Sequence, residues 1–270
     1  MGTKVVVHGA AGRMGRRIVA LLTQDPDLEL AGALEAKGHA ELKRDAGILA
    51  GVGELRIPLV DSLAKVERDF DVLVAFSTPA GTAETASQVA ERRKAMVIGT
   101  TGFTEEQRAH VRTVLASVPC VMAPNMSVGV NVLFRITEEV VRTLGTGFDV
   151  EIVEAHHRLK ADAPSGTALR LAEVIAGARD ADVHTQAVYG RQGRPGPRTA
   201  DEIGVLAVRA GDIVGDHTVI FGGIGERLEL THRAHTRDNF VIGALRAAKW
   251  VVGQAPGVYD MMDVLGLRKI

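Results

Sequence analysis

The chain has 270 residues, 46% of them hydrophobic, enough for one large domain or two modest ones. Its 32 Lys and Arg against 33 Asp and Glu leave a formal net charge of −1, which argues against a nucleic-acid binder, a class that carries a basic excess. No apolar run reaches the roughly 18 residues of a membrane span, the apolar stretch Val5-Val6-Val7 is too short for a signal-peptide core, and the single cysteine, Cys120, allows no intrachain disulfide, so a cytoplasmic protein without membrane partners is expected.

Aromatic residues make up only 4% and glycines number 30, so aliphatic side chains must fill the core and many tight turns are expected. Residues 4–8 form a short β-branched run, read as a strand. Residues 13–23 have helical spacing, with Met14, Ile18, Leu21 and Leu22 on one side. Residues 28–34 predict a second strand. The continuous apolar run 72–76 predicts a third, buried on both faces. A helix over 81–93, a strand over 96–98, a helix opening at Thr104 with Glu105 and Glu106 in its first turn, and a strand over 118–123 follow. Strands separated by helices imply βαβ crossovers and a parallel sheet.

The pattern then changes. Residues 149–155 read as a strand and 164–176 as a helix. Three strands in succession follow, at 204–209, 217–221 and 227–234. Successive strands without helices predict a mixed, largely antiparallel sheet. The Gly, Pro and Arg content of 189–200 excludes a regular element there and predicts an exposed, mobile loop. Residues 239–253 return to helical spacing and are expected to pack on the first domain. The fold class is α/β: a parallel-sheet domain over 1–126, joined by a C-terminal helical segment 238–270, and a second α+β domain over 127–237.

The first strand runs into Gly9-Ala10-Ala11-Gly12-Arg13-Met14-Gly15, a glycine turn that opens a helix. Gly9 permits the tight turn, Gly12 lets the backbone approach a pyrophosphate, and Gly15 allows close helix–strand packing. The helix N-terminus then offers free N–H groups to phosphates. Glu35 closes the second strand, where an acid can accept hydrogen bonds from ribose hydroxyls, and Arg13 or Lys37 can pair with a 2′-phosphate. By itself the turn is weak evidence, and a glycine-rich bend that binds nothing is the lesser alternative. Ser77-Thr78-Pro79 and Gly99-Thr100-Thr101-Gly102 follow the third and fourth strands. Such small, hydroxyl-rich loops suit a nicotinamide ribose and ring, though each also serves as a plain turn or cap.

Residues 154–168, EAHHRLKADAPSGTA, carry the second cluster. Pro164, Ser165, Gly166 and Thr167 mark a helix start, whose N–H groups and hydroxyl form an anion pocket. His156, His157 and Lys160 beside it suit a substrate with carboxylates and supply proton donors. No third or fourth ligand stands at a convincing spacing for zinc, so no metal is expected.

These segments, with GTTGF at 99–103, APNMSVGVN at 123–131 and GDIVGDHTVIF followed by LELTHRAHTRDNF, resemble the dihydrodipicolinate reductases, now called 4-hydroxy-tetrahydrodipicolinate reductases. The resemblance runs from the first strand to the last helix. It implies a Rossmann-like cofactor domain, a mixed-sheet second domain that builds a homotetramer, and NADH or NADPH reducing a small cyclic dicarboxylate in lysine and diaminopimelate synthesis. It implies His156 and Lys160 as catalytic groups and His157, Ser165, Gly166 and Thr167 as carboxylate binders. It implies cofactor contacts at Gly9, Ala10, Ala11, Gly12, Arg13, Met14, Glu35, Gly99, Thr100, Thr101, Ala123, Pro124, Asn125 and Met126. Enteric members carry an arginine after the ribose-binding acid, where this chain has Ala36. The glycine turn alone equally fits an amino-acid or sugar dehydrogenase, or a nucleotide-sensing regulator.

Overall fold

The computed structural model describes residues 2–269. The chain divides into two compact units: one runs to Val128 and resumes at Asp238, and the other is Gly129–Arg237. The first unit begins with β1 (Thr3–His8), α1 (Arg13–Leu22), β2 (Leu28–Leu34), α2 (Ala46–Ala50) and β3 (Leu59–Val60). It continues through β4 (Val72–Ala75), α3 (Pro79–Glu91), β5 (Ala95–Ile98), α4 (Glu105–Leu115) and β6 (Pro119–Met122). Next come α5 (Val128–Leu144), β7 (Asp149–His156), α6 (Gly166–Ala178), α7 (Val183–Gln186), β8 (Ala187–Tyr189), β9 (Ile203–Arg209), β10 (Gly215–Gly222) and β11 (Arg227–Ala234). The chain closes with α8 (Asp238–Val251), β12 (Gly257–Tyr259) and α9 (Met261–Val264).

The first unit holds a seven-stranded sheet in the order β12-β6-β5-β4-β1-β2-β3, parallel throughout. Its central strands are buried on both faces, which is why they read as unbroken apolar runs. Successive residues still part to opposite sides. Val5, Val7, Val72, Val74 and Val97 enter one core, and Val6, Leu73, Ala75, Met96 and Ile98 the other. Each such aliphatic side chain contributes about 1.5–3 kcal/mol when fully buried. Helix α8 feeds Val241, Ala244, Leu245, Ala248 and Val251 into the first core, and α3 and α4 feed Ala86, Val89, Val111 and Leu115 into the second. The strand order reverses at β1, so the crevice beyond the carboxyl ends of β1 and β4 is where a ligand of this sheet binds.

The second unit holds a five-stranded sheet in the order β11-β10-β7-β9-β8. Strand β10 is antiparallel to β11 and β7, while β7–β9 and β8–β9 are parallel. The sheet is therefore evenly mixed. The three strands expected in succession are not all neighbours, because β7 lies between β9 and β10. A parallel pair needs a crossover, and α6 with α7 supplies it between β7 and β9. Helix α6 covers the sheet through Leu171, Ala172 and Ile175, all fully buried.

One expected boundary needs correction, one helix was missed, and one loop has anchors that its composition does not show. The helix anticipated from Pro164 starts at Gly166: Ser165 is extended and caps it, accepting the Ala168 N–H, and Pro164 lies before the cap after a cis peptide bond. Helix α5 was not anticipated at all, although it buries Val130, Leu133, Phe134 and Val141 at helical spacing. The loop 189–200 is exposed but held down at two points. Arg191 pairs with Glu151, at 2.6 and 3.0 Å, and with Glu202, while Arg198 pairs with Asp149 and bonds the Glu202 carbonyl.

The close seating of α1 yields a stability prediction. A Cβ on Gly15 would fall inside the van der Waals envelope of the Gly9 carbonyl oxygen and 2.6 Å from Ala10 Cα, both backbone atoms that cannot swing away. Gly15→Ala is expected to destabilise the protein by about 1–3 kcal/mol, the cost of overpacking, read as a lower urea midpoint at unchanged slope.

Candidate active site

In the first unit, two cavities open along the carboxyl ends of the parallel strands. One, of 720 Å³, is lined by Gly9, Gly12, Glu35, Lys37, Ser77 and Gln88 among others. The second, of 330 Å³, is lined by Met14, Gly99, Thr100, Thr101, Pro124, Asn125 and Met126. Phe76 and Ser77 border both, so the two cavities adjoin across these residues. Of the predicted cofactor residues, Gly9, Gly12 and Glu35 line the larger cavity, and Met14, Gly99, Thr100, Thr101, Pro124, Asn125 and Met126 line the smaller. Ala10, Ala11 and Ala123 are buried and line neither cavity, and Arg13 is exposed on the first turn of α1.

The glycine turn is held tight by close backbone contacts. Gly9 has φ +82°, and a Cβ there would sit 2.5 Å from the Phe76 carbonyl oxygen. Gly12 is exposed and stands at the head of α1, whose first-turn amides have no acceptor within the helix. A Cβ on Gly99 would run into the Phe76 ring, so only glycine leaves that ring its place between the two cavities. One Glu35 carboxylate oxygen accepts the Ala11 N–H at 3.0 Å and the other the Ala36 N–H at 2.9 Å, so the acid braces the turn. The larger cavity is also lined by His39, Asp61 and Lys65, which sequence reasoning passed over.

Sequence reasoning also missed His8 at the end of β1. Its Nδ1 lies 3.4 Å from Ser77 Oγ, which continues through Thr82 Oγ1 at 3.1 Å to Thr100 Oγ1 at 2.8 Å. Burial pushes its pKa down to about 4, against the opposing pull of Glu35, so the ring is neutral at pH 7.

In the second unit, β7 ends at His156 and α6 begins at Gly166. Glu154, on β7, has no exposed surface and accepts four hydrogen bonds. Oε2 takes His156 Nδ1 at 2.6 Å and one Arg209 nitrogen at 2.8 Å. Oε1 takes the second Arg209 nitrogen at 2.8 Å and the Ser165 N–H at 3.0 Å. Burial alone would raise the Glu154 pKa, but Arg209, His156 and Ser165 outweigh it and hold the group ionised. Ser165 Oγ lies 3.0 Å from His217 Nε2, and the His156 and His217 rings meet edge to face at 5.2 Å. Lys160 sits in the intervening loop, paired with Asp162 at 2.8 Å. The structure therefore gathers His156, Lys160 and Ser165 at one end of this sheet, with His157 next in the chain and Gly166 and Thr167 in the first turn of α6. Ser165 is buried as the cap, while Gly166 is exposed.

Glu154, Arg209 and His217 had no role in the sequence reading. One signal was available: Glu154 occupies an inward position of β7, in step with buried Val150 and Ile152. Its partners are set by register, Arg209 opposite His156 and His217 opposite Glu154, across 55 and 63 residues of chain. Among the described residues no group of three or more His, Cys, Asp or Glu could hold a metal, and no helix is long and apolar enough to cross a membrane.

A parallel sheet with a glycine turn at its reversal point, and a histidine–lysine pair before a helix start, define a nicotinamide-dependent oxidoreductase. Residues 3–126 match the family described as dihydrodipicolinate reductase, N-terminus, and residues 129–265 its C-terminus. A 4-hydroxy-tetrahydrodipicolinate reductase of Geotalea daltonii is 53% identical over 98% of this chain and 99% of its own. A dipicolinate-bound dihydrodipicolinate reductase from Paenisporosarcina sp. TG-14 superposes with a TM-score of 0.75 at 25% identity, covering 97% of this chain and 99% of that one. An amine dehydrogenase from Mycobacterium smegmatis shares the fold, with a TM-score of 0.60 at 14% identity over 96% and 94% of the chains. The chain belongs to the dihydrodipicolinate reductase family.

The buried histidines give a pH prediction. For His8, with a folded pKa of about 4 against 6.5 unfolded, the unfolded chain binds the extra proton first. Its contribution is complete above pH 6.5 and is lost as pH falls from 6.5 toward 4, by up to about 3 kcal/mol. Urea midpoints measured across this range should drop, and His8→Leu should flatten the drop.

Proposed function

We propose that the protein is a 4-hydroxy-tetrahydrodipicolinate reductase of lysine and diaminopimelate synthesis. One observation carries this reading: a single short stretch places His156, Lys160 and the first turn of α6 together at the end of the mixed sheet. The reaction takes 4-hydroxy-tetrahydrodipicolinate, a reduced dinucleotide and a proton to tetrahydrodipicolinate, the oxidised dinucleotide and water. The dinucleotide supplies the hydride. Negative charge develops on the ring as the hydride arrives, and the Lys160 ammonium stabilises or protonates it. His156 is the acid–base partner. The α6 amides at Gly166 and Thr167, with His157 and the Ser165 cap, hold the substrate carboxylates and so fix the ring.

The two adjoining cavities of the first unit take NADH or NADPH. Their glycines leave room for the pyrophosphate, and Thr100, Thr101 and Asn125 offer polar groups in the smaller one. Glu35 disfavours a 2′-phosphate, whereas Lys37 and Lys65 in the same cavity favour it. The dinucleotide unit is residues 1–126 with 238–270, and the substrate unit is 127–237. We assign the second unit to homotetramer formation as well. Its edge strand β11 is largely exposed and pairs on one side only, leaving a row of backbone groups for a second copy. The cytoplasm, where this biosynthesis runs, suits a chain whose one cysteine is buried.

Two measurements test the reading. Substrate made in situ by condensing pyruvate with aspartate semialdehyde should cause NADH oxidation, and its absence would overturn the assignment. Lys160→Met should lower kcat about a hundredfold or more, with little change in melting temperature, because its partner Asp162 is exposed. A folded variant with normal kcat would remove Lys160 from the chemistry. Both dinucleotides should support turnover, NADH at least as well, with a preference within about 1–2 kcal/mol. Ala36→Arg should move the ratio of kcat/KM values toward NADPH.

A further inference from the structure

We propose that Glu154 is the positioning residue of the second unit's site, with Arg209 as its counter-charge: one buried carboxylate orients the His156 ring and anchors the start of α6. The proposal rests on the reductase reading for the meaning of that site, but its geometry stands on its own.

An ionised carboxylate only accepts hydrogen bonds, at about four positions. Glu154 receives four donors, two on each oxygen. Because it cannot donate, His156 must carry its proton on Nδ1, leaving Nε2 as the nitrogen that exchanges protons. The space before Nε2 is kept by a glycine: a Cβ at Gly215 would stand 3.0 Å from that nitrogen. The same carboxylate takes the N–H of Ser165, the residue that caps α6. Ring orientation and the placement of the anion-binding turn are thus set by one group. Arg209 also donates to the Asp162 carbonyl, which ties the loop carrying Lys160 to the same pair.

Arg209 explains how an acid beside His156 leaves it a usable base. A lone carboxylate 2.6 Å from the ring would favour the imidazolium strongly. Here burial lowers the His156 pKa, the Glu154 hydrogen bond and charge raise it, and Lys160 and Arg209 lower it again, with a net downward shift. These groups face the ring from β7, the following loop and β9, and His217 faces it from β10. The ion pair supplies orientation while its net charge stays near zero.

This arrangement makes signed predictions that a purely structural role does not. Glu154→Gln removes the charge and turns one of the two acceptor oxygens into a donor, so the His156 pKa should fall. Arg209→Met removes the counter-charge, so it should rise. Each folded variant should lose about tenfold or more in kcat/KM, and Glu154→Gln should also weaken pyridine-2,6-dicarboxylate binding, because one amide oxygen cannot accept from both His156 Nδ1 and the Ser165 N–H. The titration is read on the full-length protein by NMR of labelled histidine rings, with His156→Gln identifying its resonance among the nine histidines. Shifts of opposite sign support the proposal, and no shift or shifts of one sign overturn it. If neither variant folds, the wild-type ring decides: ¹⁵N shifts should show the proton on Nδ1, and a proton on Nε2 of the neutral ring overturns the proposal. A wild type that fails to oxidise NADH sinks the reductase reading without touching this result.

Discussion

A full negative charge with no solvent contact is the constraint around which the second unit's reactive end is built. Water would solvate Glu154 freely, so inside the sheet every lost hydrogen bond must be replaced. The replacements come from β7 itself, from β9 and from the turn before α6. Satisfying one carboxylate therefore fixes three segments that chain connectivity alone leaves free. Loosening any donor leaves the others facing an unbalanced charge, which is why these positions are coupled rather than additive.

The first unit applies the same device more gently. Glu35 is partly exposed and accepts only two backbone amides, yet these belong to the glycine turn and to its own strand end. The turn is held from outside by an acid and from inside by steric exclusion of any Cβ at Gly9 and Gly15. A site that must meet phosphates closely gains from such bracing, since an amide already oriented loses little freedom when a ligand arrives.

What could be read in the sequence follows the range of the interactions. The parallel sheet was legible because Val5 to Val7 and Val72 to Ala75 announce burial locally, and the glycine turn because backbone sterics are local too. The stretch 154–168 was legible through its residue types. Arg209 and His217 were not, since only strand register brings them to Glu154. The order of the second sheet was hidden for the same reason: adjacency of β9 and β10 in sequence says nothing about the insertion of β7 between them. Pro164 misled because proline favours the first turn of helices, and here the serine after it took the capping role.

The first unit is discontinuous, and this sets an order on synthesis. Its sheet lacks β12 and its core lacks α8 until residues beyond Asp238 have left the ribosome. The second unit is continuous from Gly129 to Arg237 and is complete earlier. During that interval the nascent first half exposes the apolar surface that Val241, Ala244, Leu245 and Val251 later cover. Domains form as units while the chain emerges at about 5–20 residues per second, so the inserted unit has several seconds to fold first. Helix α8, which also sets Phe240 on the wall of the smaller cavity, is then the element whose arrival closes the core of the dinucleotide unit.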